Sequence, residues 1–237
     1  MRLLLKIAAT KGWSASTVDV KTAFLNAPVD NAADRGVVIV EPPRVFRDAQ
    51  VLNHPEELWL VRKALYGLTT SPKDWCLHRD KCIQEFNWRG TTATYKVEKT
   101  AQDDVWGIYG LQDGEGDWTL TGLCATYVDD IIITGIREVI DGMHQKIRES
   151  WKIGEPSWIE DGGDPVRFLG MEIEKKGQDF AMRAYLENLF MEYDEQGKEF
   201  LGQVKTREEE ENPQLAEVTQ ALASCCGWLG GRDQMSA

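Results

Sequence analysis

The sequence predicts an α+β fold, an antiparallel sheet backed by helices, on three observations. Four strand-like segments follow one another at 95–97, 105–111, 120–127 and 131–134, separated by turns of Gly and Asp. Helical patterns lie before and after that run, and mixed chains of this kind pair their strands side by side in one antiparallel sheet. The 237 residues, 42% apolar with nine Trp, are enough for one sizeable core or two small ones.

In chain order, residues 2–10 are apolar on a helical period without Gly or Pro, and Gly12 follows as a stop. Residues 17–20 read as a short strand with Asp19 at its end; VVIVEPP is a second strand closed by Pro42 and Pro43, and 58–61 a third. LYGLTTSPKDW turns on Gly67 and opens a helix, with Ser71 at the N-cap, Pro72 at the first helical position and Asp74 at the third, running to about Phe86. The segments 120–127 and 131–134 are close enough to form one hairpin with Val128, Asp129 and Asp130 at its tip. Residues 136–151 read as a helix. RFLGMEIEKKGQDFAMRA is a second hairpin around Lys176, Gly177 and Gln178, within which FLGMEI taken alone is a strand. An amphipathic helix is expected over 184–195, a solvated acidic linker at 208–211 and a last helix over 214–229. The expected division is a domain over 1–195 and an acidic linker with a small helical C-terminal appendage over 196–237.

Net charge is −12 and uneven. Residues 1–150 carry 18 Lys and Arg against 21 Asp and Glu, whereas 151–237 carry 9 against 18. The total argues against a simple nucleic-acid-coating protein, which is usually basic, while the nearly neutral first part leaves room for a basic groove. The opening MRLLLKIAAT has an apolar run of only Leu3 to Leu5 before Lys6, so no secretory or membrane segment is expected. Five Cys form no C-x-x-C pair and three His are scattered, which argues against a zinc framework and for reduced, intracellular thiols.

The chemistry concentrates in CATYVDDIIITG, where Asp129 and Asp130 stand between two apolar runs. Adjacent carboxylates repel, and burying one without a partner is costly, so either water or a cation must solvate them. If the strand ending in Asp19 pairs with this hairpin, three carboxylates meet at one sheet edge. Mg²⁺, a hard cation, is satisfied by carboxylates, substrate phosphates and water, and two such ions position the attacking and leaving oxygens of nucleotidyl transfer. Asp is also common in hairpin turns because it bonds its own backbone, so spacing alone leaves a solvated turn open.

STVDVKTAFLNAPVD, VVIVEPPRVF, LWLVRKALYGLTTSPKDW, ATYVDDIIITG and VRFLGMEI, in that order, resemble the reverse transcriptase of copia-type LTR retrotransposons; VTQALASCCGWLGG resembles, more weakly, the segment after its palm. The resemblance implies a polymerase palm and RNA-directed DNA polymerase activity. It implies two Mg²⁺ or Mn²⁺ ions on Asp19, Asp129 and Asp130, which match the family's catalytic aspartates. Phe24 matches the aromatic steric gate that excludes a ribose 2′-hydroxyl. Gly67, Ser71 and Pro72 match the block shaping the nucleotide and template pocket, where Gly lets backbone approach substrate. Tyr127 would sit beside the primer terminus, and Phe168, Leu169, Gly170 and Met171 resemble the hairpin that grips the primer. Taken without the resemblance, Phe24 is equally a core residue, and Lys21, Arg62, Lys63 and Lys73 are either phosphate contacts or solubilising cations.

The implied partners are an RNA or DNA template-primer and deoxynucleoside triphosphates, with no membrane, and other Pol domains such as integrase and RNase H. The implied location is a cytoplasmic particle or the nucleus. The family's basic fingers strands, which hold the triphosphate, precede the point that matches Met1, and its RNase H domain follows the point that matches Ala237. The expectation is therefore a partial palm lacking fingers, weakly active or inactive alone. The alternative is a catalytically inactive remnant that keeps the palm fold and at most binds nucleic acid weakly.

Overall fold

The structure, a computed structural model, describes residues 1–29, 36–52, 54, 56–114 and 116–184. Among them the helices are α1 (Arg2–Lys11), α2 (Ala23–Asn26), α3 (Arg44–Asp48), α4 (Ser71–Gln84) and α5 (Arg137–Ser150). The strands are β1 (Ser14–Asp19), β2 (Ile39–Val40), β3 (Trp59–Leu60), β4 (Asn87–Arg89), β5 (Ala93–Lys99), β6 (Val105–Gln112), β7 (Thr119–Tyr127), β8 (Asp130–Gly135), β9 (Ser157–Ile159), β10 (Val166–Phe168), β11 (Met171–Lys176) and β12 (Asp179–Ala184). The 195/196 division, the linker at 208–211 and the helix at 214–229 lie outside the described residues, as does the helix expected over 184–195 apart from Ala184, which ends β12.

The main sheet is antiparallel in the order β4-β5-β6-β7-β8-β1-β9, with β10-β11-β12 and β2-β3 forming smaller sheets. β8 lies inside the sheet between β7 and β1, and its run Ile131, Ile132, Ile133 is fully buried. Successive strand residues face opposite sides. Ile131 and Ile133 join the core built from Trp75 and Ile83 of α4 and Ile140, Met143 and Ile147 of α5. Ile132 joins the opposite core, with Leu4, Leu5 and Ala8 of α1 and Phe168 and Ile173 of the three-stranded sheet. Each buried Ile stabilises by roughly 1.5–3 kcal/mol, so both faces of β8 hold its end, and the carboxylates there, in place.

Three local expectations are corrected. The N-cap of α4 is Thr70. Ser71 instead donates its hydroxyl to the Leu65 carbonyl at 2.6 Å, which satisfies the preceding turn. FLGMEI is not one strand, because Phe168 pairs directly with Met171 and the chain reverses at Leu169 and Gly170. Both turn residues have positive φ, 51° and 67°, the sign pattern of a type I′ turn, whose twist matches that of the flanking strands. The hairpin tip is narrower than expected: Tyr127 pairs with Asp130, leaving Val128 and Asp129 as the turn.

His144 of α5 is buried, with Nε2 3.3 Å from Ser16 Oγ of β1 and its ring against Trp158 at 5.5 Å. Burial first, then the charges of Arg148 and Arg137, push its pKa down from 6.5 to about 4. The unfolded chain takes up that proton near pH 6.5 and the folded chain only near 4, so stability is full above the first value and falls as pH drops through the window. The expected loss between pH 7 and 5 is about 1–2 kcal/mol. Urea unfolding at both pH values measures it, and His144→Gln is expected to remove this part of the slope.

Candidate active site

β1 and β8 pair antiparallel with Asp19 opposite Asp130. Directly opposed residues project to the same face of a sheet. Asp129 precedes Asp130 in the turn, and its carbonyl accepts from the Val20 amide at 2.9 Å. Residues 152–154 brace the other side: the Lys21 amide donates to the Lys152 carbonyl and the Gly154 amide to the Asp19 carbonyl, both at 2.9 Å. The three aspartates expected to meet, Asp19, Asp129 and Asp130, are thus brought to the same end of the paired strands β1 and β8.

Desolvation first, then the charges of Asp129 and Asp19, raise the Asp130 carboxyl above the usual range. The crowding also attracts a cation. Lys21 Nζ lies 2.5 Å from Asp19 Oδ2. Its hydrogen bond to Asp19, the charge of Asp19 and the charge of Asp129 hold the ammonium's pKa up. Among the described residues no three His, Cys, Asp or Glu side chains are closed into a metal-holding group. In chemistry, however, the donors fit a hard divalent cation: they are carboxylate oxygens with more negative charge than one ammonium offsets. Lys21 stands as the competing cation.

The backbone on both sides of the carboxylates is unusual. Val128 has φ 51° while Asp129 keeps a negative φ, the sign pattern of a type II′ turn, whose first central position favours Gly. A β-branched residue there costs about 1–3 kcal/mol. Opposing that cost, Trp75 of α4 donates its indole N–H to the Val128 carbonyl at 2.6 Å, and the Val128 side chain packs on the core. Thr22 also has a positive φ, 50°, and is braced by Asn26, whose amide donates to the Lys21 and Thr22 carbonyls at 3.2 and 3.1 Å.

Two further neighbourhoods flank the carboxylates. Phe24 of α2 lies against Tyr66, ring centroids 4.8 Å apart, and the Ala64 amide donates to the Ala27 carbonyl at 3.0 Å. Phe24 is therefore beside the turn that carries Gly67 and leads into Ser71 and Pro72. Gly67 has φ 94° with open space where a Cβ would project, so its conformation rather than crowding selects glycine. On the other flank, a cavity of about 490 Å³ is lined by Tyr127, Phe168 and Leu169 together with Leu4 of α1 and Asp104. Gly170 and Met171 continue the hairpin beyond Leu169.

Sequence reasoning passed over Tyr66 and Trp75 and gave Lys21 only as one scattered cation. An aromatic immediately before a turn glycine was the available signal for Tyr66. None marked Trp75, whose partner is 53 residues away.

A family model described as reverse transcriptase (RNA-dependent DNA polymerase) matches residues 1–196. Among curated proteins, the retrovirus-related Pol polyprotein from transposon RE1 of Arabidopsis thaliana is 25% identical over 196 residues, 80% of this chain and 11% of that protein. The one from transposon TNT 1-94 of Nicotiana tabacum is 26% identical over 176 residues, 74% of this chain and 11% of that protein. The one from transposon RE2 of Arabidopsis thaliana is 24% identical over 192 residues, 78% of this chain and 11% of that protein. The chain thus spans 11% of the length of each of these relatives. No solved structure matches. Among the described residues no helix is long and apolar enough to cross a membrane.

Proposed function

The chain belongs to the reverse transcriptase (RNA-dependent DNA polymerase) family, and from that premise we propose that it is the palm of a retrotransposon Pol polyprotein and adds deoxynucleotides to a primer 3′-hydroxyl under an RNA or DNA template. The observation that carries the reading is the pairing of Asp19 with Asp130 beside Asp129 at the end of β1 and β8. Asp19, Asp129 and Asp130 would hold two Mg²⁺ or Mn²⁺ ions, whose positive charge would activate the primer hydroxyl and stabilise the departing pyrophosphate. The side chains around them position the reactants. Tyr127 and the Phe168 to Met171 hairpin hold the primer end, and the open conformation at Gly67, with Ser71 and Pro72 behind it, leaves room for the nucleotide and template. Integrase and RNase H would be its neighbours in the polyprotein.

Phe24 is the proposed sugar gate. Its ring, backed by Tyr66, offers a ribose 2′-hydroxyl no hydrogen-bond partner and occupies the space the hydroxyl needs. Phe24→Val is expected to raise the ratio of ribonucleotide to deoxyribonucleotide kcat/KM by about 10–100-fold. Equal loss for both substrates would assign Phe24 to packing alone. Primer extension on poly(rA) primed with oligo(dT), by a polypeptide carrying this chain, tests the activity itself. No extension despite intact divalent-ion binding would leave an inactive remnant of the fold.

A further inference from the structure

The bond from Trp75 to Val128 engages the central peptide of the hairpin turn. In a two-residue turn the carbonyl of the first central residue and the amide of the second form one peptide unit. Flipping that unit interconverts the type I′ and II′ geometries, altering ψ of the first residue and φ of the second. Here the carbonyl is that of Val128 and the second residue is Asp129. Neither local sequence preference holds the flip, because Val128 stands where glycine is favoured. Among the described residues the group that donates to that carbonyl is the Trp75 indole, at 2.6 Å.

Trp75 is also tied to the strand that carries the opposing carboxylate. Its ring, fully buried, meets Trp151 edge-on with centroids 5.2 Å apart. Trp151 leads directly into residues 152–154, which bond the backbone of Asp19 and Lys21 on one side, with Val20 bridged to Ile153. One indole thus contacts the turn that bears Asp129 through its N–H and, through Trp151, the segment that braces Asp19. Filling the core requires only the ring; neither the N–H nor its alignment on a turn carbonyl is needed for packing.

We propose that Trp75 is a positioning residue: its indole N–H locks the Val128–Asp129 peptide in one orientation and so aims the Asp129 carboxylate toward Asp19. The inference rests on the reading of Asp19, Asp129 and Asp130 as divalent-ion ligands. Groups that orient metal ligands from outside the coordination sphere typically cost 10–100-fold in metal affinity when removed.

The test is a Mn²⁺ titration followed by the electron paramagnetic resonance of the free ion, with no nucleotide or primer present. It compares the wild-type chain, Asp129→Asn, and chains with benzothienylalanine or 5-fluorotryptophan introduced at position 75. Benzothienylalanine keeps the ring shape and replaces the N–H by sulfur; 5-fluorotryptophan keeps the N–H. Near-UV circular dichroism reports whether each chain retains its tertiary packing. The expected result is wild-type binding that Asp129→Asn removes, an affinity about 10–100-fold weaker with the sulfur isostere, and affinity within about twofold of wild type with the fluorinated ring. Equal affinity for the sulfur isostere and wild type would overturn the positioning role while leaving the ligand reading intact. Equal losses for the two analogues would also overturn it, because ring shape and not the N–H would then matter. Absence of wild-type binding would overturn the ligand reading and the inference with it.

Discussion

Asp129→Asn is expected to lower primer extension by about 10³-fold or more while leaving the chain folded. A divalent ion contributes several kcal/mol to stabilising phosphoryl charge, and each 1.36 kcal/mol is tenfold in rate. The fold has no comparable stake in this carboxylate. Asp129 contributes its backbone carbonyl to the Val20 amide, and asparagine keeps that bond. The charge of Asp129 is, after desolvation, the next cause of the raised Asp130 pKa. Its removal relieves repulsion and is expected to bring Asp130 back toward the ordinary carboxylate range. Activity should therefore fall while the melting temperature holds or rises. Parallel loss of both would make Asp129 a structural residue of the turn.

The largest expected effect on stability lies elsewhere, at Arg79 of α4. Its side chain is only 1% exposed, yet its partners reach solvent, Asp80 at 21% and Asp104 at 52%. The guanidinium donates to Asp80 Oδ1 through Nε at 3.1 Å and Nη2 at 2.8 Å, and Nη2 also bonds Asp104 Oδ1. It lies 5.5 Å from the Trp106 ring centroid, and Lys99 holds the second Asp80 oxygen at 3.1 Å. This asymmetry of burial predicts an asymmetry of mutation. Asp80→Asn with Asp104→Asn leaves a buried charge without a counter-ion and should cost about 3–5 kcal/mol, or on the order of 10 °C in Tm for a chain of this size. Arg79→Met strands only carboxylates that can take up water, and should cost less. Thermal unfolding of the two variants decides it; a larger loss for Arg79→Met would mean that packing of the Arg79 stem outweighs the charge.

The parts of this molecule legible from sequence are those set by neighbours along the chain. Residues 95–134 alternate and break at Gly and Asp, so four strands of the main sheet could be read directly, and the apolar periodicity of residues 2–10 ending at Gly12 marked α1. The edge strands β4 and β9 were not read. Each has three residues, with Asn87 and Ser157 leading, and each exists because a longer strand offers it a ladder. The turn at Leu169 and Gly170 was hidden inside an apolar run, with one glycine as its only mark. Ser71 was taken for a cap because its hydroxyl was available in sequence, whereas in the fold the Leu65 carbonyl claims it.

In the candidate site the carboxylates were legible as three strand-end aspartates, but the mixed pattern only allowed the pairing of β1 with β8, which the fold supplies. What surrounds them was not. Whether Lys21 is solvated or bonded depends on where Asp19 points, and Trp75 acts on a turn that local sequence does not place near it. Both are consequences of packing two cores on opposite faces of one sheet.

A crystal of the chain soaked in Mn²⁺ and measured at the manganese absorption edge tests the carboxylate site most directly. The expected result is anomalous density about 2 Å from carboxylate oxygens of Asp19 and Asp129, with the Lys21 ammonium displaced from Asp19. Density elsewhere, or none with Lys21 still on Asp19 at saturating Mn²⁺, would contradict the assignment of these carboxylates as the ligands of a polymerase.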